Sequence, residues 1–200
     1  MRNRILFTCG VLACVTVASP VIAASAAPHK VTAPAPAALF KEVKALMAYG
    51  KLLPGSHLYM YGARMADYYT IDRANAPAIT SATAHGVAGV KRFPDGSLLI
   101  KENFDQHKRL QTITAMLKLP GYDAQDRNWV MAAYKPDGTP LFYGKVASCI
   151  NCHAIARTTD FVFPPLEHLS VGIVQAFFPG QPLSPQYLRL VKAQASSPKH

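Results

Sequence analysis

Hydrophobic and polar positions divide the chain into a helical opening and a strand-rich middle. Over residues 40–53, Phe40, Val43, Leu46, Met47 and Leu53 recur at helical spacing, and Pro54-Gly55 ends the pattern. From residue 68 the period changes. Tyr68-Tyr69-Thr70-Ile71 is aromatic and β-branched, as strands favour. The turn Phe93-Pro94-Asp95-Gly96 leads into a strand over 97–104. Ile113, Ala115 and Leu117 alternate within 109–119, which predicts a second strand closed by Pro120-Gly121. Residues 128–135, around Trp129 and Tyr134, predict a third, closed by Pro136-Asp137-Gly138. A short helix is expected over 147–156, and Pro164-Pro165 prevents it from running on. A last helix is expected near 187–193. The fold class is therefore α+β, mainly antiparallel sheet with flanking helices and a short helix late in the chain.

The ends change the domain picture. Arg2 and Arg4 precede an apolar run over 5–17, and Ala24-Ser25-Ala26 has the small-x-small form of a cleavage site. Residues 1–26 read as a signal peptide, with cleavage after Ala23 as the alternative. An uncleaved anchor is disfavoured because the run is short for a membrane span. Residues 27–38, with Pro28, Pro34 and Pro36, read as an Ala/Pro linker, and 39–200 as a single domain. Cleavage leaves about 174 of the 200 residues and lowers the formal charge from +10 to about +8. The basic residues are scattered, with no run of the length a nucleic-acid patch needs.

The candidate chemistry sits in Cys149-Ile-Asn-Cys152-His153, the Cys-x-x-Cys-His attachment signature of a c-type haem. Two thiols three positions apart can each add to one porphyrin vinyl group, and His153 then offers an imidazole to the iron. Composition alone gives this pattern with a probability of about 0.003. A redox pair would need a βαβ setting, and half a zinc site would need two further ligands. Cys9 and Cys14 leave with the signal, so no cysteine remains for a disulfide. Export fits haem attachment outside the cytoplasm and a periplasmic location.

The segments from Tyr69 to Phe163 resemble the cytochrome P-460 family, which includes the cytochromes c′-beta. The resemblance rests on four pieces in order. They are Phe93-Pro94-Asp95-Gly96 with Leu98-Leu99-Ile100-Lys101-Glu102, Trp129 before Lys135-Pro136-Asp137-Gly138, the haem motif, and Asp160-Phe161-Val162-Phe163. It implies a mostly antiparallel β fold, often dimeric, holding one haem c with five-coordinate iron. Lys101 matches the lysine that hydroxylamine-oxidising members link covalently to the porphyrin edge. Alternation sets it on the face of Leu99 and Asn103. A strand lysine whose head simply reaches water is the other reading. Those members carry a carboxylate four residues beyond the histidine, where this chain has Arg157. On a continuing helix Arg157 would share the face of His153 and meet a propionate, a polar ligand or only solvent. An arginine there fits the gas-binding cytochromes c′-beta better.

Candidates for a sixth ligand are Met60, Met65, Met116, Met131, His57, His85, His107 and His168, none in a recognisable ligand motif; Met116 and Met131 read as core filler and His85 as a surface residue. An open sixth site is therefore expected. Three functions stand: binding of nitric oxide or carbon monoxide, oxidation of hydroxylamine with Lys101 and Arg157 as catalytic candidates, and electron transfer with a periplasmic redox partner. A homodimer is suggested by the resemblance alone.

Overall fold

The structure, a computed structural model, describes residues 31–61 and 69–164 together with Leu188, Arg189 and Lys192. The signal-peptide segment and the body of the C-terminal extension lie outside the described residues. Leu188, Arg189 and Lys192 are helical, within the segment predicted as a last helix.

Seven strands form one antiparallel sheet: β1 (Lys51–Leu52), β2 (Met60–Tyr61), β3 (Tyr69–Ala74), β4 (Leu98–Phe104), β5 (Leu110–Lys118), β6 (Trp129–Tyr134) and β7 (Pro140–Gly144). The order is β1-β3-β4-β5-β6-β7, with β2 also pairing with β3. The expected α+β class is observed. Strand alternation sorts the core into two layers. Leu98, Ile100, Ile113, Ala115, Ala132 and Tyr134 point to one face and meet Leu39 and Val43 of helix α1 (Pro36–Tyr49). Leu99, Met116, Trp129 and Met131 point to the other. There they meet Ala78 and Ala82 of α2 (Ala76–His85), Val87, Phe161, and Cys149 and Ile150 of α3 (Ala147–His153).

The first helix begins four residues before the predicted start, inside the segment read as linker. Pro36 occupies its first turn, where its fixed φ suits the helix and its missing N–H costs nothing. The helix ends at Tyr49, because Lys51 and Leu52 pair with Ala74 and Arg73 instead. Tyr134 Oη and Tyr143 Oη donate to the carbonyls of Pro36 and Pro34, tying this segment to the sheet. The β6–β7 turn needs Gly138, whose φ is +94° and whose hydrogen faces the ring of Phe40.

Candidate haem site

Helix α3 presents its two thiols, Cys149 and Cys152, both half-buried, and ends on His153. His153 Nδ1 donates to the carbonyl of Phe161 at 2.6 Å. That bond fixes the tautomer and leaves Nε2 as the basic nitrogen. Burial pushes the imidazole down to about 4, the Phe161 carbonyl pulls it partly back, and the nearby Lys101 charge adds to the fall. The ring is therefore neutral at physiological pH, the form that binds iron. Phe163 packs against it with ring centroids 5.2 Å apart. Two thiols one helical turn apart beside an oriented, neutral imidazole fit a c-type haem. The described residues hold no group of three or more His, Cys, Asp or Glu that would complete a bare metal site.

The carbonyl that holds His153 sits on an unusual turn. A 3₁₀ segment, Ala154–Thr159, follows α3 with a kink at Ala156, and Asp160 and Phe161 then take left-handed φ values of 55° and 70°. Asp160 is fully buried and held from three sides. Lys118 Nζ, 2 % exposed, donates to both carboxylate oxygens at 2.8 and 2.7 Å. The Phe93 N–H donates to Oδ2 at 2.7 Å. Trp129 Nε1–H donates to the Asp160 carbonyl at 2.7 Å. The Lys118 ammonium also lies 4.6 Å from the centre of the Trp129 ring. Burial lowers the Lys118 pKa, the Asp160 carboxylate opposes this, and Arg92 and Arg127 add to the lowering. Lys118 and Asp160 line a cavity of about 290 Å³ with Arg92, Ala124, Arg127, Asn128 and Arg157.

Arg157 lies elsewhere than the predicted helix face. The α-helix stops at His153, and the 3₁₀ kink carries the exposed Arg157 over the Phe161 ring, 5.2 Å from its centre.

Lys101 does share a face with Leu99, as alternation predicts, and its charge reaches His153. Across β3 it faces Asp72, with Nζ to Oδ1 at 3.9 Å. That Asp72 oxygen is buried and accepts no hydrogen bond. Thr114, Ala133 and Phe142 continue the row across β5, β6 and β7. Phe142 is 56 % exposed, so this row next to α3 offers a partly apolar surface that a porphyrin could cover. Glu102, the next residue of the Lys-Glu motif, points to the opposite face and pairs with Arg73 at 2.9 Å.

A family model, cytochrome P460, matches residues 63–164, just over half of the chain. The chain belongs to the cytochrome P460 family. No curated protein matches it. Membership makes the protein a mono-haem c-type cytochrome. The sequence singled out Cys149, Cys152, His153, Lys101 and Arg157. It left Lys118, Asp72 and the Phe161 carbonyl without a role, and Asp160 entered only as part of the segment that carries the family resemblance. The one available signal was a lysine closing an apolar strand, with an aspartate in the segment after the haem motif.

Proposed function

We propose that this cytochrome P460 is an exported small-ligand haem protein that binds nitric oxide or carbon monoxide at an open sixth iron position. When bound, the haem supplies an iron that changes oxidation state and takes a diatomic ligand. Cys149 and Cys152 hold it by thioethers, and His153 supplies the fifth ligand through Nε2. The Phe161 carbonyl keeps Nδ1 protonated and makes the imidazole a stronger donor. Residues 1–26 direct export to the periplasm, and a redox partner there and a second copy of the chain are its expected protein partners.

The supporting observation is where the described sixth-ligand candidates lie. Met116 and Met131 are buried among Leu99, Trp129 and Phe161, while His57, His85 and His107 are exposed. The Met60 side chain, Met65 and His168 lie outside the described residues. Hydroxylamine oxidation is the second reading, and Lys101 supports it. Its amine lies on the face turned to His153, with the Asp72 carboxylate beside it as a proton acceptor that position 157 lacks.

Intact mass and the ferrous spectrum of the holoprotein separate these readings. Mature chain plus one haem, with a high-spin spectrum that shifts on adding carbon monoxide, is the expected result. A low-spin spectrum that carbon monoxide leaves unchanged would overturn it in favour of an electron carrier. Further loss of hydrogen with a far-red Soret band, both abolished by Lys101→Ala, would establish the lysine link and the hydroxylamine reading.

A further inference from the structure

We infer that Lys118, Asp160 and Trp129 are positioning residues that set the strength of the His153–iron bond through the Phe161 carbonyl. The inference rests on His153 being the iron ligand, as proposed above. None of the three touches the imidazole. All act on the residue before the one that does.

Burial of an ion pair is a poor way to gain stability, because desolvation cancels most of the attraction. Lys118 and Asp160 are nevertheless buried together, on the same sheet face as Leu99 and Met116. What such a pair supplies is direction. The carboxylate takes two contacts from Nζ and one from the Phe93 amide, and the Trp129 indole takes the Asp160 carbonyl. Four contacts thus fix one residue, three on its carboxylate and one on its carbonyl. They hold it in the left-handed region, which aspartate tolerates better than most residues, and so set up a second left-handed residue at Phe161, where a bulky ring is disfavoured. Strained residues of this kind persist only where their surroundings over-determine them, and they gather at functional sites. The result of this strain is a carbonyl aimed at His153 Nδ1 at 2.6 Å.

A short Nδ1–H···O bond gives the imidazole partial imidazolate character. That strengthens its donation to iron and favours the ferric state. When the turn loosens, the bond lengthens and the ferrous state gains. Lys118 and Asp160 therefore tune the iron without contact with it.

The test uses the holoprotein with Trp129→Phe and the double variant Lys118→Met/Asp160→Asn. Tyr134→Phe, on the opposite sheet face, is the control for lost stability. Held at the wild-type midpoint potential, the ferrous-to-ferric ratio should rise about threefold to tenfold in the first two. Their ferrous iron–histidine stretching band should move to lower frequency, and both readouts should stay fixed in the control. Pin variants that melt earlier but keep the wild-type ratio and band would overturn the inference. Trp129→Phe leaves both charges in place, so it decides the matter even if the double variant fails to fold. Absence of any histidine-derived iron band from the wild-type protein would instead overturn the five-coordinate reading of the site.

Discussion

Removing Lys118 alone should cost more than removing Lys118 and Asp160 together. In Lys118→Met the Asp160 carboxylate stays fully buried and keeps only the Phe93 N–H as a side-chain partner. An uncompensated buried charge of this kind costs about 3–5 kcal/mol. Asp160→Asn keeps an acceptor for Phe93 but leaves an ammonium at 2 % exposure facing an amide and the Trp129 ring. Its pKa is already lowered by burial, so it can shed its proton, and the cost should be nearer 2–3 kcal/mol. Lys118→Met/Asp160→Asn has no charge to bury and should lose only about 1–2 kcal/mol of hydrogen bonding and packing. The coupling energy of the cycle is then at least about 3 kcal/mol, at the upper end for touching residues. Urea unfolding at neutral pH, followed by tryptophan fluorescence, reads it directly, since Trp129 lies against the pair. With a slope of about 2 kcal/mol/M, the single Lys118 variant should unfold about 2 M earlier than wild type and the double variant less than 1 M earlier. Single-variant losses that add to the double-variant loss within about 0.5 kcal/mol would refute the reasoning, because the two groups would then act independently.

Three further outcomes are expected. Cys149→Ser or Cys152→Ser should leave haem on one thioether, and the double variant should release it to acidified organic solvent, as intact mass will record. Burial raises the Tyr134 phenol above its usual 10, so its folded pKa exceeds its unfolded one. The stability it contributes is complete below pH 10 and falls as pH rises above that value. Tyr134→Phe, which loses the bond to Pro36, should therefore cost about 1 kcal/mol at pH 8 and flatten the alkaline decline in urea titrations. Gly138→Ala should cost about 1–2 kcal/mol in the same titrations, because φ is +94° and the new methyl would strike the Phe40 ring.

What the sequence disclosed follows the range of the interactions involved. Strands β4, β5 and β6 were legible because β-branched and aromatic runs are bounded by Pro-Asp-Gly and Pro-Gly turns. Helix α2 was not. Its buried positions are Ala78 and Ala82, so it lacks the large apolar stripe that periodicity detects, and the Asn75 cap reads as loop polarity. Strand β7 is an edge strand with Leu141 and Phe142 exposed, which hides its alternation. The haem motif was legible because its chemistry needs five adjacent residues. The turn behind it was not, because Asp160 meets Phe93, Lys118 and Trp129 across 67, 42 and 31 residues. Arg157 falls on the 3₁₀ segment rather than on α3, because α3 ends at His153 and i, i+4 spacing brings residues together only while the helix lasts.

One sheet face carries two lysine–carboxylate pairs, and their difference divides stability from chemistry. Lys118 and Asp160 are closed from water at 2.7 Å, with every oxygen engaged. Lys101 and Asp72 stand 3.9 Å apart, with the lysine side chain 46 % exposed and one aspartate oxygen accepting no hydrogen bond. The lysine is half exposed and the contact is long, so the pair contributes well under 1 kcal/mol, whereas the Asp72 side chain, 14 % exposed, also accepts from Ser56 Oγ and is the packed partner of the two. Lys101 faces Thr114, four residues along β5 from Lys118, a separation of about 13 Å at strand spacing. The fixed pair holds the turn whose carbonyl meets His153, and the loose pair lies on the half-exposed row across β3 and β4. Change is therefore cheap at Lys101 and costly at Lys118 and Asp160. Lys101→Ala should leave the urea midpoint nearly unmoved whichever activity the protein has, which makes it a clean probe of chemistry. A large loss of stability in that variant would mean that the loose pair, too, belongs to the fold.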